Sequence, residues 1–236
     1  MRGTLRMQTD FQMNGQASNA LVVRQNQVLR NTYMLLGLSM VPTVLGALAG
    51  IQLNFSLFAG SPLISFIVFL GIAWGFMWGV ERTKNSGWGV ALLLGFTFFM
   101  GLMLSRILQF ALGFSNGGSL IAMAAGGTGA IFFTLASVAS VSKRDFSNLG
   151  KFLFIGLVVV LLAALANAFF QIPALALTIS AVTVVLFSAY ILYDISRIVQ
   201  GGEDNYITAT LAVYLDIYNV FVSLLNLLMA LAGERD

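Results

Sequence analysis

Taken as a pattern of apolar and polar positions, the 236-residue chain divides into seven long apolar runs separated by short polar ones. The runs cover roughly 32–51, 62–80, 88–112, 118–141, 151–170, 172–199 and 207–231. Each approaches the ~20 apolar residues that a helix needs to cross a bilayer core of about 30 Å. The fold class this predicts is all-α and integral to a membrane, a bundle of seven transmembrane helices. Residues 1–20 are rich in Gln, Asn, Gly, Ser and Thr, show no apolar period, and read as a flexible tail. Leu21 to Asn31 read as a helical lead-in, so residues 21–236 form the membrane domain. Pro173 falls at the start of the sixth run, where a first helical turn tolerates proline.

Small residues recur every four positions within three runs: Gly46 and Gly50; Gly71, Gly75 and Gly79; Ala122, Gly126 and Ala130. Such stripes let helix backbones approach closely. The expectation is that all three pack inside the bundle, with a dimer interface as the other use. The run Gly126-Gly127-Thr128-Gly129 lacks the lysine and the strand that a phosphate loop needs.

Composition sharpens the picture. Apolar residues are 58% of the chain and charged ones 9%, against about 25% charged in a soluble domain. Histidine and cysteine are absent, which removes disulfides, imidazole or thiolate metal sites and any nucleophile–histidine chemistry. No basic patch interleaved with aromatics is present, so nucleic acid is not an expected partner. The lipid bilayer is. No cleavable signal peptide is expected, because the first apolar run begins near Tyr33 behind a long polar stretch.

The formal net charge is +3, and its placement says more than its size. Arg2, Arg6, Arg24, Arg30, Arg82, Lys84, Lys143, Arg144, Lys151 and Arg197 all fall on the side of the N-terminus. The alternate connections, 52–61, 113–117 and 170–172, carry no charge. The positive-inside rule then puts the N-terminus in the cytoplasm, and an odd number of spans puts the C-terminus outside, in the periplasm of a bacterial inner membrane. Arg106 and Arg235 are the exceptions. Arg106 sits near the outer end of the third run, where its stem can snorkel to the interface or turn inward.

The chemistry concentrates in the last two runs, each of which holds one aspartate, Asp194 and Asp216. A carboxylate at the centre of a span costs roughly 2.5–3.5 kcal/mol on insertion scales, so two on adjacent spans point to function. On the seventh run Asp216 shares a helical face with Thr208, Ala212, Asn219, Ser223 and Asn226. On the sixth, Asp194 shares one with Ser180, Thr183, Phe187 and Tyr190. Facing inward, the two stripes would form a polar seam, and touching carboxyls would share a proton and titrate as a unit. Their oxygens also suit Ca²⁺, which takes six to eight such ligands. The alternative is local neutralisation: Asp194 by Arg197 three residues on, and Asp216 by Asn219 or a nearby hydroxyl. No cofactor is expected.

At these residues the sequence resembles the Bax inhibitor-1 (transmembrane Bax inhibitor motif) family. The matching stretches are Ser188-Ala-Tyr-Ile-Leu-Tyr-Asp194 and Asn205-Tyr-Ile-Thr-Ala-Thr-Leu-Ala-Val-Tyr-Leu-Asp-Ile-Tyr-Asn-Val-Phe-Val-Ser-Leu-Leu225. Val28-Leu-Arg-Asn-Thr-Tyr33, Gln171-Ile-Pro-Ala-Leu175 and Gly201-Gly-Glu203 are similar to the YccA-type branch, modulators of the FtsH protease. The resemblance implies a last helix at the centre of the other six. It also implies a pH-sensitive Ca²⁺ leak gated at an aspartate dyad, here Asp194 and Asp216. Some members latch the dyad with an arginine at the end of the second span; here Arg82 is nearest, with Glu81 one residue away. The same resemblance implies regulation of FtsH, with the N-terminal tail as the handle. YccA-type relatives can lack the dyad, which this chain keeps, and Arg106 stands where relatives commonly have proline.

An enzyme of the intramembrane aspartyl protease class is the remaining alternative. Tyr193-Asp194 resembles its first motif, and paired carboxylates are its chemistry. However, Asp216 follows Leu215 rather than Gly-x-Gly, and Pro173-Ala-Leu175 precedes both aspartates, the reverse of that class. The expectation is not an enzyme.

Overall fold

A computed structural model describes residues 2–55, 62–142 and 146–233, with side chains from Val23 onward except those of Pro62, Leu63 and Ser147. The described chain is helical throughout: α1 (Arg2–Gln52), α2 (Pro62–Thr83), α3 (Gly87–Leu112), α4 (Gly117–Val141), α5 (Gly150–Phe170), α6 (Pro173–Val199) and α7 (Tyr206–Gly233), with a single 3₁₀ turn, Ser147–Leu149, before α5. All seven include a stretch long and apolar enough to cross a membrane, which in α1 begins at Val23. The helices outrun the apolar runs by a few residues at several ends, because polar residues such as Glu81 and Arg82 continue the helical hydrogen bonding past the hydrocarbon. The lead-in is continuous with the first span, since α1 runs unbroken through it. Helix α1 extends back to Arg2, across the stretch read as a tail, whose side chains lie outside the described residues.

Helix α7 is the hub. It packs against α1, α2, α3, α4 and α6, and no residue from Tyr206 to Ala230 is exposed. Helix α5 is the one that does not reach it. Leu153 is its only buried residue, and it rides on the outside of α6. The expectation of a centre wrapped by six helices is therefore corrected to five, with α5 peripheral.

The closest helix pair is α1 with α3. A β-carbon on Gly46 would lie 2.2 Å from the Phe98 carbonyl oxygen, and one on Gly50 would lie 2.5 Å from the Ser105 hydroxyl. This first small-residue stripe packs as expected. Of the second only Gly79 packs, a β-carbon there lying 3.2 Å from Leu92 Cδ1, whereas Gly71, Gly75 and Gly126 have nothing within 4 Å of a β-carbon, and Ala122 and Ala130 are exposed. Helix α2 presents Ala73 and Val80 to the bundle instead, and α4 presents Leu120, Ala124, Thr128, Phe132 and Ala136. Small residues every four positions mark a stripe that permits close packing, but the larger apolar faces decide which side turns inward.

Two connections set the register of the helices that carry the aspartates. The α5–α6 turn is closed by Gln171 in the left-handed region at φ 52° and by the Ile172 amide donating to Asn167 Oδ1 at 2.9 Å. At the start of α7, Asn205 Oδ1 accepts from the amides of Ile207 at 2.9 Å and Thr208 at 3.3 Å. That is an N-cap, satisfying donors the helix cannot bond internally. The Asn205 amide group also donates to the Lys84 carbonyl and to Asn85 Oδ1, both at 3.0 Å. One side chain thus starts α7 and ties it to the α2–α3 loop.

Candidate functional site

The two aspartates meet where α6 and α7 run side by side. Asp216 is 4% exposed, Asp194 is half-buried, and their carboxyl groups lie within hydrogen-bonding reach of each other. Asp216 Oδ2 has no hydrogen-bond partner. Burying a carboxyl oxygen without a partner is costly, so this position is not one that packing alone would favour. Tyr190, one turn before Asp194, is near enough to feel both carboxyls. Its ring lies tilted against Phe187 at 5.6 Å and meets Tyr193 edge-on at 6.4 Å.

Arg197 borders the pair on the side of the α6–α7 loop. Its charge acts on Asp194, and its guanidinium lies over the Tyr193 ring at 5.6 Å. The same group reaches Glu203 at 3.6 Å and the Gly202 carbonyl at 3.4 Å. Glu203 in turn accepts from the Thr208 hydroxyl at 3.0 Å and the Asn205 amide at 3.2 Å. The arginine is therefore shared between the dyad and the loop that joins its two helices. Local neutralisation of Asp216 by Asn219 is not what is found, because Asn219 Nδ2 donates to the Leu215 carbonyl of its own helix at 2.8 Å.

The other sequence-derived positions divide. Thr183 and Ser223 are buried, and Asn226 is half-buried, so the stripe does face inward. Arg82 and Glu81 are exposed. The Arg82 guanidinium lies 5.2 Å from the Trp78 ring centre on its own helix, and Glu81 accepts from Lys84 Nζ. Neither is placed with the dyad, because the rotation of α2 turns its last turn outward. Arg106 is exposed on α3. Among the described residues no group of three His, Cys, Asp or Glu side chains forms a metal cluster. The dyad supplies two carboxyls toward any cation.

A second polar cluster escaped the sequence reading. Tyr214, 1% exposed, sets its hydroxyl 2.9 Å from Thr43 Oγ1 on α1 and 3.4 Å from the Thr97 carbonyl on α3. Tyr218 donates to the Met100 carbonyl at 3.3 Å. These tyrosines flank Asp216 at two residues on either side, so they leave α7 on the face opposite the dyad. The motif around Asp216 contained them. Their partners are backbone carbonyls and a threonine more than a hundred residues away, which no local spacing announces.

Comparison with known proteins bears on this geometry. The family described as inhibitor of apoptosis-promoting Bax1 matches residues 25–233, a span that takes in both aspartates. An uncharacterized protein of Neisseria meningitidis is 41% identical, over 91% of this chain and 96% of its own length. A protein of Escherichia coli K12 named modulator of FtsH protease YccA is 40% identical, over 86% and 90%. Its counterpart in Escherichia coli O6:H1, with the same identity and coverage, is named inner membrane protein YccA.

Proposed function

The chain belongs to the Bax inhibitor-1 family, and on that premise we propose that it is a pH-sensitive Ca²⁺ leak channel of a bacterial inner membrane, closed where Asp194 meets Asp216. One observation carries the reading: a fully buried acid, with one oxygen unpartnered, held against a second acid. Two carboxyls in contact away from water cannot both be charged cheaply, and a single shared proton is the arrangement that costs least. Loss of that proton sets two negative charges against each other across the α6–α7 seam. Oxygen ligands for a divalent cation then appear in its path, with water, Ser223 and freed carbonyls completing the six to eight that Ca²⁺ takes. Two carboxyls without a third suit passage of the ion rather than tight retention. Arg197 acts as the latch, balanced between Asp194 and Glu203. The distribution of Lys and Arg supports an N-terminus in the cytoplasm and a C-terminus in the periplasm.

The test is Ca²⁺ flux into liposomes holding the purified protein, across a pH series, with Asp194→Asn and Asp216→Asn alongside. The expected result is a pH-dependent leak in the wild type and a flattened profile in both variants. Unchanged flux and profile in both would remove the channel reading.

A second reading, compatible with the first, is favoured by the relative named modulator of FtsH protease. Here the chain regulates FtsH, and the polar residues 1–20 are the handle. Deleting residues 1–20 should abolish any effect on FtsH-dependent degradation while leaving the Ca²⁺ leak intact, so the two readings separate in one pair of assays.

A further inference from the structure

On the side of α7 away from the dyad, α1 and α4 stand apart and leave a groove of about 910 Å³ floored by Tyr214, Ile217, Tyr218 and Phe221. Along α1 it runs from Tyr33 to Ile51, about 27 Å at a rise of ~1.5 Å per residue. That approaches the ~30 Å of the hydrocarbon core, so the groove opens sideways into lipid over nearly its whole length. Extended hydrocarbon chains fit such a groove, and its aliphatic and aromatic lining offers dispersion contacts along their length.

The end near Tyr33 has a different character. The hydroxyls of Tyr33 and Ser140 face each other there, across from α1 to α4. Arg30, one turn before Tyr33, lies on the side of α1 that carries Gly37 and Leu48, two residues of the groove wall. It is exposed and has no ion-pair partner among the described residues, whereas Arg24 beside it is paired with Asp204. No acidic residue occurs between Val23 and Gln52 or anywhere in α4. A cation at the mouth of an apolar groove, with hydroxyl oxygens beside it and no acidic residue on the facing stretches of α1 and α4, matches an anionic amphiphile.

We propose that this groove is a lipid site: it holds the acyl chains of an anionic phospholipid, with the phosphate against Arg30. The occupant fills the gap between α1 and α4 and keeps water from the Thr43–Tyr214 hydrogen bond. The proposal stands apart from the leak, since it concerns the opposite face of α7.

Photo-crosslinking tests it. The full chain is reconstituted with phosphatidylglycerol carrying a diazirine on one acyl chain, or with phosphatidylcholine bearing the same chain, and labelled peptides are mapped by mass spectrometry. Label from phosphatidylglycerol should concentrate on α1, α4 and the Ile217 segment, about fivefold over phosphatidylcholine, the worth of one arginine at an anionic surface. Arg30→Gln should erase that preference and keep the chain label. Gly129→Phe should clear the label from the groove, because Gly129 lines it and has open space where a side chain would go. Ala125→Leu provides a milder filling should the first variant fail to fold. Label spread evenly onto Phe152 and Phe154 of α5, or unmoved by either filling, would overturn the proposal. So would capture of a protein segment rather than lipid by a photoreactive residue placed at Val44.

Discussion

Thr43 on α1 and Tyr214 on α7 share a hydrogen bond of 2.9 Å between side chains separated by 171 residues in sequence. Thr43 also donates to the Ser39 carbonyl of its own helix at 2.8 Å, so its oxygen is left to accept from the tyrosine. Hydrogen bonds between membrane helices average about 0.6 kcal/mol, and Tyr214→Phe should lower stability by about that much. Thr43→Val should do the same, and the double variant little more than either alone. Denaturant titration of the purified protein in mild detergent measures the cycle; strictly additive losses would mean the bond contributes nothing.

The α1–α3 contact is the least tolerant of change. A β-carbon on Gly101 would sit 2.1 Å from the Thr43 carbonyl oxygen, an atom that can move only with its helix. Gly101→Leu should therefore cost about 3 kcal/mol or more. Gly75→Leu, at a glycine with open space around it, should stay within about 0.5 kcal/mol. Thermal unfolding of the pair in one detergent compares them directly, and equal losses would contradict the assigned packing.

Asn205 holds both the start of α7 and the α2–α3 loop. Asn205→Ala should cost about 1–2 kcal/mol by loss of the cap alone. Hydrogen exchange should quicken at Ile207 and Thr208, whose amides it accepts. The nearby Arg24–Asp204 pair, at 2.9 Å but with side chains 65% and 71% exposed, contributes far less. Asp204→Asn should change stability by under about 1 kcal/mol, and by less still in high salt.

The dyad makes a prediction for stability as well as for flux. Asparagine keeps the shape of a protonated aspartate and can donate to its partner, so Asp216→Asn should remain within about 1 kcal/mol of the wild type. What it removes is proton linkage. The unfolding midpoint of the wild type should vary with pH, and that of Asp216→Asn should vary less. Parallel pH profiles for the two proteins would show that the carboxyl does not titrate with folding.

The spans and the inward polar stripe were legible because a bilayer imposes one length and one polarity on every helix that crosses it. Asp194 and Asp216 stood out for the same reason: nothing in hydrocarbon makes an aspartate cheap. Rotation of a helix about its axis was less legible. Gly71 and Gly75 carry the same spacing as Gly46 and Gly50 yet face out, and Arg82 turns onto Trp78 rather than toward the dyad. Those outcomes depend on the competing faces of each helix, which a single spacing does not weigh. The peripheral place of α5 and the Tyr214 contacts were not legible at all. Both depend on which distant helix arrives next to which, and their sequence signal is only a run of apolar residues and two tyrosines in a familiar motif.

The enclosure of α7 has a consequence for biogenesis. The helix that packs against five others is synthesised after all of them, so translation order runs opposite to packing order. Until α7 leaves the ribosome, α1, α3, α4 and α6 must wait in the bilayer with the surfaces it covers open to lipid. A chain cut short before Tyr206 would leave an assembly missing its middle, a ready target for membrane quality control.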